Sequence, residues 1–214
     1  MSKEVLFRTA LDFEVKAISH WGSDKDIANI ASISYGKEEA TNTEALIKAL
    51  IVKGHLSPFE HAGITFYMEI PIFVARQLLR YRHISVNEMS RRYTTEERVE
   101  FEFYLPSELY INNDFYASDT PPAQIAILQL VEEYRNYIQR GIKPETARII
   151  LPVSLMTKMY FTVNIRELMH ILNQRLRPEA QREIRYVADM MLGWFSTYFP
   201  LTHNYFMETY REGF

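Results

Sequence analysis

Residues 76–93 read RQLLRYRHISVNEMSRRY. The secondary-structure elements predicted before and after this segment connect directly to it. Pro71 suits the first turn of a helix, and the apolar residues after it recur at helical spacing as far as Leu79. Over residues 83–90 no helical or strand period persists, and Ser and Asn side chains there compete for backbone hydrogen bonds. The sequence therefore predicts a helix that ends in a polar loop over residues 83–90.

The same segment concentrates side chains that bind anions. Its arginines stand beside Gln77, Asn87 and Ser90, and one carboxylate, Glu88, lies among them. Guanidinium groups bind phosphate in a bidentate manner, and added amide and hydroxyl donors favour a specific phosphate or a polar heterocycle. The alternative is a nucleic-acid-binding module that uses the basic patch from Arg76 to Arg98, since arginine runs often form such surfaces.

Length and composition limit the possible classes of protein. A chain of 214 residues with 47% hydrophobic residues can bury one sizeable core, so we predict a single domain over residues 1–214. The net charge of −3 provides no global attraction to nucleic acid. The absence of cysteine excludes disulfides, thiolate metal sites and a cysteine nucleophile. With no signal peptide and no apolar stretch of ~18–20 residues, we expect a cytoplasmic protein without a membrane segment.

Alternating and helical patterns fill the rest of the chain. Strands are predicted over residues 5–8, 63–70, 99–105 and 155–163. Helices are predicted after Asp24, after Thr41 or Asn42, from Pro121 and Pro122 to Gly141, from Lys143, after Asn164, and over residues 179–199 and 201–211. Residues 107–120 show no period and are predicted to form a surface loop.

Candidate chemistry is also found at three further places in the sequence. Arg166, His170 and Asn173 recur at helical intervals and form one polar stripe. His55 and His61 flank a proline turn without the spacing of metal ligands, and no metal site is predicted. Arg148 lies between apolar neighbours, a pattern more typical of a buried partner of a carboxylate than of a ligand contact.

The triplet Arg80-Tyr81-Arg82, followed after seven residues by Ser90, resembles the signature of flavin-dependent thymidylate synthases. In that family the triplet is usually Arg-His-Arg, so Tyr81 occupies the place of the histidine. Residues 55–61, 71–77, 147–152 and 162–175 resemble the family in order and spacing, within a resemblance that extends from residue 34 to residue 184. A tyrosine retains an aromatic contact there, whereas imidazole donation and titration are lost.

The resemblance implies an FAD-dependent methyltransferase that converts dUMP to dTMP. Methylenetetrahydrofolate is the carbon donor of this family, FAD carries the redox equivalents and NADPH is the usual reductant. The implied fold is mixed α/β (α+β), with a mainly antiparallel sheet flanked by helices, in a single-domain subunit of a homotetramer whose sites are shared between subunits. The lack of cysteine agrees, because the other class of thymidylate synthase attacks the pyrimidine with a thiolate.

The resemblance also assigns site residues by position. Arg175 is the implied catalytic residue, which stabilises negative charge on the uracil ring. The implied dUMP contacts are Gln77, Arg80, Glu88, Ser90, Arg91, Arg92, Arg148 and Arg175. The implied FAD contacts are Ser34, Ser57, Arg80, Tyr81, Arg82, His83, Glu88, Asn164, Arg166 and His170, and His55 and Tyr93 are implied on the folate side.

Two alternatives remain at this stage. Ser90 could be a nucleophile, but no base is placed beside it by the sequence, so hydrogen-bond donation to the nucleotide is favoured. Tyr81 could also leave a flavin or nucleotide binder with impaired catalysis.

Overall fold

The computed structural model describes residues 4–9, 12–96, 98–106, 110–111, 114–115 and 122–210. The strands in these ranges are β1 (Leu6–Arg8), β2 (Glu14–Trp21), β3 (Gly63–Pro71), β4 (Ile84–Glu88), β5 (Glu102–Tyr104), β6 (Tyr110–Ile111), β7 (Asp114–Phe115) and β8 (Met156–Asn164). The α-helices are α1 (Asp24–Ser32), α2 (Thr43–Val52), α3 (Ile72–Leu78), α4 (Pro122–Gln139), α5 (Pro144–Ala147), α6 (Ile165–Arg175), α7 (Arg182–Tyr198) and α8 (Pro200–Tyr210). Short 3₁₀ helices cover Ile33–Tyr35, Ser57–His61 and Arg148–Ile150.

The described residues group into two compact units. The first falls within residues 1–14, 69–76 and 88–159, and the second within residues 15–68, 77–87 and 160–214. The single domain predicted over residues 1–214 therefore stays a prediction.

The first unit is built on an aromatic core beneath α4. Strands β1 and β5 pair in parallel, with Phe7 opposite Phe103. Phe101, Phe103, Val131 and Tyr134 are buried in one cluster, because the apolar residues of α4 recur on the face that meets the strands. Pro122 occupies the first helical position of α4, as the sequence predicts.

The second unit contains α1, α2, α6, α7 and α8, and side chains cap the first turns of α1, α2 and α6. Asn42 accepts a hydrogen bond from the Ala45 N–H at 3.0 Å, which confirms its predicted role at the start of α2. The predicted cap at Asp24 is wrong, because Ser23 caps α1 by accepting from the Asp26 N–H at 3.2 Å. The buried Asp24 carboxylate instead accepts from the backbone N–H groups of Leu201 and Thr202 at the start of α8.

A four-stranded sheet has the order β2-β3-β8-β4. In the second unit the Thr65 and Thr162 hydroxyls are 3.0 Å apart, and the rings of Tyr67 and Tyr160 pack together at 5.6 Å. Successive pairs that move forward along β3 and backward along β8 identify an antiparallel arrangement. The mixed fold with an antiparallel sheet flanked by helices is thus confirmed.

Gly63 begins β3 because no larger residue fits there. A β-carbon at this position would collide with the ring of Trp21 and with the Val163 carbonyl oxygen. The glycine therefore allows the indole to lie directly on the strand backbone.

Two strands of the four-stranded sheet, β2 and β4, were not predicted. Residues 84–88 form β4, so the loop predicted over residues 83–90 is wrong. Four of the five β4 side chains are exposed, and most of β2 is exposed as well, so neither strand shows apolar alternation. Both lie at the ends of the sheet order, where side chains have fewer strand neighbours.

The predicted loop over residues 107–120 lies largely outside the described residues. Its described part pairs as a short antiparallel hairpin, with Tyr110 opposite Phe115. Among the described residues, no helix is long and apolar enough to cross a membrane.

Candidate functional site

Helix α6 presents a polar face because of where it begins. Asn164 accepts a hydrogen bond from the Glu167 N–H at 2.8 Å and sets the first turn. Leu168, Ile171 and Leu172 are then buried, which leaves the opposite side of the helix polar.

A cavity of about 430 Å³ lies against this polar face, within the second unit. It is lined by Leu56, Glu60, His83, Asn164, Arg166, Glu167, Met169, His170, Asn173 and Tyr210. Four predicted flavin contacts are among them: His83, Asn164, Arg166 and His170. A cavity of this size with a few polar groups is typical of a small-molecule site.

The cavity lining combines one cation, Arg166, with two carboxylates, Glu60 and Glu167, and with apolar wall. Arg166 forms a salt bridge with Glu60, and both side chains are about half exposed. Imidazole and amide groups surround that pair, and Leu56 and Met169 add apolar wall. The residues therefore fit part of a dinucleotide such as FAD, whose phosphates need a cation and whose rings need apolar contacts.

The other flavin contacts predicted in the second unit lie outside the cavity lining. Ser34 and Ser57 are exposed on the 3₁₀ helices, and Arg80 and Arg82 are exposed in the turn after α3. His55, predicted on the folate side, is also exposed. The structure thus leaves these side chains at the surface of the chain.

Tyr81 is the buried residue of the Arg-Tyr-Arg triplet, with 7% of its surface exposed. Its hydroxyl donates to Gln174 Oε1 at 2.9 Å, and its ring meets the His170 ring edge-on at 5.7 Å. The Arg175 guanidinium lies over the same ring at 5.4 Å. Burial raises the pKa of the Tyr81 phenol, against the opposing effect of the charge and hydrogen bond of Arg175, so the phenol is neutral at physiological pH.

Arg175, the predicted catalytic residue, is the last residue of α6, and one of its N–H donors has no acceptor among the described residues. Its Nη2 donates to the Gln77 carbonyl oxygen at 3.3 Å, and Gln77 itself donates through Nε2 to Gln181 Oε1 at 2.8 Å. Arg175 Nε is buried and has no acceptor among the residues that the structure describes. A buried, unpaired guanidinium N–H costs free energy unless a ligand supplies the acceptor.

The remaining predicted contacts lie in the first unit. Glu88 accepts a hydrogen bond from the Thr157 hydroxyl at 2.8 Å. Ser90 Oγ accepts from the backbone N–H of Arg92 at 3.3 Å and from Arg92 Nε at 3.4 Å. The Arg92 guanidinium also lies over the exposed Tyr93 ring at 5.0 Å. These contacts restrain Glu88 and Ser90, two of the predicted dUMP contacts.

Arg91 is buried, in contrast to its neighbours. Its guanidinium packs on the Phe101 ring at 5.1 Å, and Nη1 donates to the Val99 carbonyl oxygen at 3.4 Å. Burial lowers the pKa of Arg91. Its contacts in this chain are therefore with the core of the first unit.

Arg148 is exposed, so its interpretation as a buried partner of a carboxylate is wrong. Its Nε donates to the Glu145 carbonyl oxygen at 3.3 Å. Ala147, the last residue of α5, is buried, and the chain then tightens into the 3₁₀ helix Arg148–Ile150, in which Ile149 remains 74% exposed. The apolar neighbours of Arg148 in sequence consequently do not bury it.

The residues of these clusters that were not predicted include Glu60, Thr157, Gln174 and Tyr210. Glu60 and Gln174 lie inside the segments that resemble the family, so the resemblance could have indicated them as site residues. Tyr210 lies at the end of α8, and nothing in its local sequence indicates that it lines the cavity.

Comparison with known proteins decides the family. The family described as "Thymidylate synthase complementing protein" matches residues 16–201, which is most of the chain. The flavin-dependent thymidylate synthase of Rickettsia prowazekii is 33% identical over 93% of this chain and 77% of its own length. This chain belongs to the flavin-dependent thymidylate synthase family.

Two further proteins similar to this chain extend the match. The flavin-dependent thymidylate synthase of Thermotoga neapolitana is 33% identical, with 93% of each chain covered. The crystal structure of the UMP/dUMP methylase PolB from Streptomyces cacaoi, bound with 5-Br dUMP, superposes with a TM-score of 0.83 at 31% identity and covers 96% of this chain and 98% of PolB. The nucleic-acid-binding alternative is not favoured by these matches.

Proposed function

We propose that this flavin-dependent thymidylate synthase methylates dUMP reductively to dTMP. Methylenetetrahydrofolate is the carbon donor, FAD the redox carrier and NADPH the reductant. One observation in the structure carries the proposal: four of the flavin contacts implied by the family signature line one cavity on α6, and Arg175 ends the same helix with a buried, unpaired donor.

Arg175 would activate the pyrimidine without a covalent nucleophile. The chain contains no cysteine, so a thiolate cannot add to the ring. A guanidinium held against the uracil edge stabilises negative charge on the N3 and carbonyl region, which raises the electron density at C5. One preorganised donor of this kind contributes ~3–4 kcal/mol in a site that excludes water.

The hydrogen bond to Gln77 supports this role of Arg175. It occupies Nη2 and restrains the plane of the guanidinium, while Nε is buried and has no acceptor among the described residues. Preorganisation of this kind reduces the reorganisation needed when charge develops on the substrate.

The flavin, when bound, supplies the redox chemistry, and the chain supplies binding and orientation. We assign Arg166 to a phosphate of the dinucleotide, for which Glu60, its ion-pair partner in this chain, competes. His83, Asn164 and His170 would complete that cavity. Ser34, Ser57, Arg80, Tyr81, Arg82 and Glu88 remain proposed as further flavin contacts.

The proposed substrate contacts keep the residues that the resemblance implies. Gln77, Arg80, Glu88, Ser90, Arg91, Arg92, Arg148 and Arg175 are assigned to dUMP, and His55 and Tyr93 to the folate. The structural relative PolB is a UMP/dUMP methylase captured with brominated nucleotides, which supports a uridylate substrate for this chain.

We also propose a homotetramer with sites shared between subunits. Arg80, Arg82, Ser57 and Arg148 are exposed in the single chain. Ligand contacts that are scattered over the surface of one chain can converge when a second subunit supplies the facing residues.

Tritium release tests the proposed function. Protein reconstituted with FAD should release tritium from dUMP labelled at C5 when methylenetetrahydrofolate and NADPH are present. Omission of FAD, folate donor or reductant should each stop the release. Flavin-loaded protein that releases no tritium under the complete conditions would refute the assignment.

A further inference from the structure

Tyr81 joins three side chains of α6 that belong to two different parts of the proposed site. Its ring lies under the Arg175 guanidinium at 5.4 Å and against the His170 ring at 5.7 Å. Its hydroxyl donates to Gln174 Oε1 at 2.9 Å, and Gln174 Nε2 is 3.3 Å from His170 Nε2. One side chain therefore contacts the proposed catalytic arginine directly, and contacts a residue of the cavity both directly and through Gln174.

The ring and the hydroxyl restrain different partners. The π face attracts the guanidinium most strongly where water is excluded, and Tyr81 is 7% exposed. The hydroxyl fixes the amide of Gln174, which leaves the Gln174 Nε2 directed toward His170. Removal of the ring should release Arg175, whereas removal of the hydroxyl alone should mainly release Gln174.

We propose that Tyr81 is a positioning residue that holds Arg175 for catalysis and links it to His170 through Gln174. This inference rests on the proposed function, because it assigns Tyr81 an effect on the dUMP reaction through Arg175. It goes beyond the flavin contact that the family signature implies at this position, since the contacts in this chain are made to α6.

The neutrality of Tyr81 is part of the proposed role. An imidazole in the same place would carry a proton below its pKa, ordinarily about 6.5. The charged groups around it would be Arg175 and Arg80, with Glu167 as the opposing carboxylate and His170 as the neighbouring imidazole. A second cation beside Arg175 would repel the guanidinium, so a histidine should make its position depend on pH where tyrosine does not.

Graded substitution tests the proposal. Tyr81→Leu should lower kcat about thirtyfold, the effect of losing a desolvated cation–π contact, while the KM for dUMP changes less. Tyr81→Phe keeps the ring and should lower kcat only about fivefold, the effect of one lost hydrogen bond. Rates are normalised to bound flavin, so that loss of folded enzyme is not counted as loss of catalysis.

Tyr205 provides a matched control in the same unit. Its hydroxyl donates to Glu44 Oε1 at 2.9 Å, and Lys48 lies over its ring at 5.1 Å. Tyr205→Leu and Tyr205→Phe remove the same kinds of contact away from α6 and should leave kcat unchanged. The proposal is overturned if Tyr81→Leu has no larger effect on kcat than Tyr81→Phe, or if the Tyr205 variants match the Tyr81 variants.

A pH profile gives a second, independent outcome if Tyr81→Leu does not fold. The ratio of kcat for Tyr81→His to kcat for the native protein should fall as the pH decreases through the imidazole titration, and a ratio independent of pH overturns the proposal. Native protein measured in parallel separates the two claims. No native turnover refutes the proposed function, whereas native turnover that is insensitive to Tyr81 substitution refutes only this inference.

Discussion

Replacement of Arg175 by alanine is the most informative single substitution in the proposed site. The side chain donates a hydrogen bond of 3.3 Å to the Gln77 carbonyl oxygen and lies over the Tyr81 ring, and its Nε has no acceptor among the described residues. Loss of a preorganised cationic donor of this kind removes about 3–4 kcal/mol of transition-state stabilisation. We therefore expect kcat to fall by a factor of about 10²–10³.

Folding should be much less affected by Arg175→Ala. The hydrogen bond that is lost is long, and the buried Nε that is removed had no partner among the described residues, so the two effects offset each other. The cation–π contact with the buried Tyr81 ring is also lost, so we expect the free energy of unfolding to fall by about 1–2 kcal/mol. Flavin content should also be retained, because Arg175 does not line the 430 Å³ cavity.

The assay is tritium release at saturating dUMP, with bound flavin measured by absorbance in each sample. Arg177→Ala is the matched control, since Arg177 is an exposed arginine just beyond the same helix end and donates to the Asn173 carbonyl oxygen at 3.0 Å. The control should retain native kcat. A kcat for Arg175→Ala within tenfold of the native value, with full flavin content, would remove Arg175 from the catalytic role.

Three further substitutions test other parts of the account. Thr157→Val removes the hydrogen bond of 2.8 Å that restrains Glu88, a proposed dUMP contact. The KM for dUMP should rise about tenfold, which is the usual effect of losing one hydrogen bond to a charged group. An unchanged KM would show that Glu88 does not need this restraint. Glu60→Gln removes a carboxylate that pairs with Arg166, so anionic FAD should bind about twofold to fivefold more tightly in a fluorescence titration, and weaker binding would contradict the phosphate role of Arg166. Asp24→Ala leaves the Leu201 and Thr202 N–H groups and the Thr202 hydroxyl without their buried acceptor. The free energy of unfolding in urea should fall by about 2–4 kcal/mol. A fall of less than about 1 kcal/mol would mean that another group, or water, replaces the Asp24 carboxylate.

The parts of the fold that the sequence predicts are those with a buried face. The alternation in β3 and β8 predicts both strands to within one or two residues, and the predicted caps Asn42 and Asn164 are both confirmed. Strands β2 and β4 bury too few side chains to produce a pattern. Their position in the sheet depends on backbone pairing with β3 and β8, which local sequence does not encode.

The candidate site also has some residues that the sequence predicts and others that it does not. The polar stripe of Arg166, His170 and Asn173 follows from helical spacing alone, and these side chains do line the cavity. The contact between Tyr81 and Arg175 joins residues that are far apart in sequence, so no spacing rule predicts it. The same is true of Tyr210, which reaches the cavity from the last helix.

The transfer of the methylene carbon is the most direct test of the proposed activity. Protein loaded with FAD is incubated with dUMP, NADPH and methylenetetrahydrofolate labelled with ¹³C in the methylene group, and the nucleotides are analysed by mass spectrometry. The account predicts dTMP that carries the label, and no dTMP when FAD or the folate is omitted. Flavin-loaded protein that leaves dUMP unchanged under the complete conditions would contradict it.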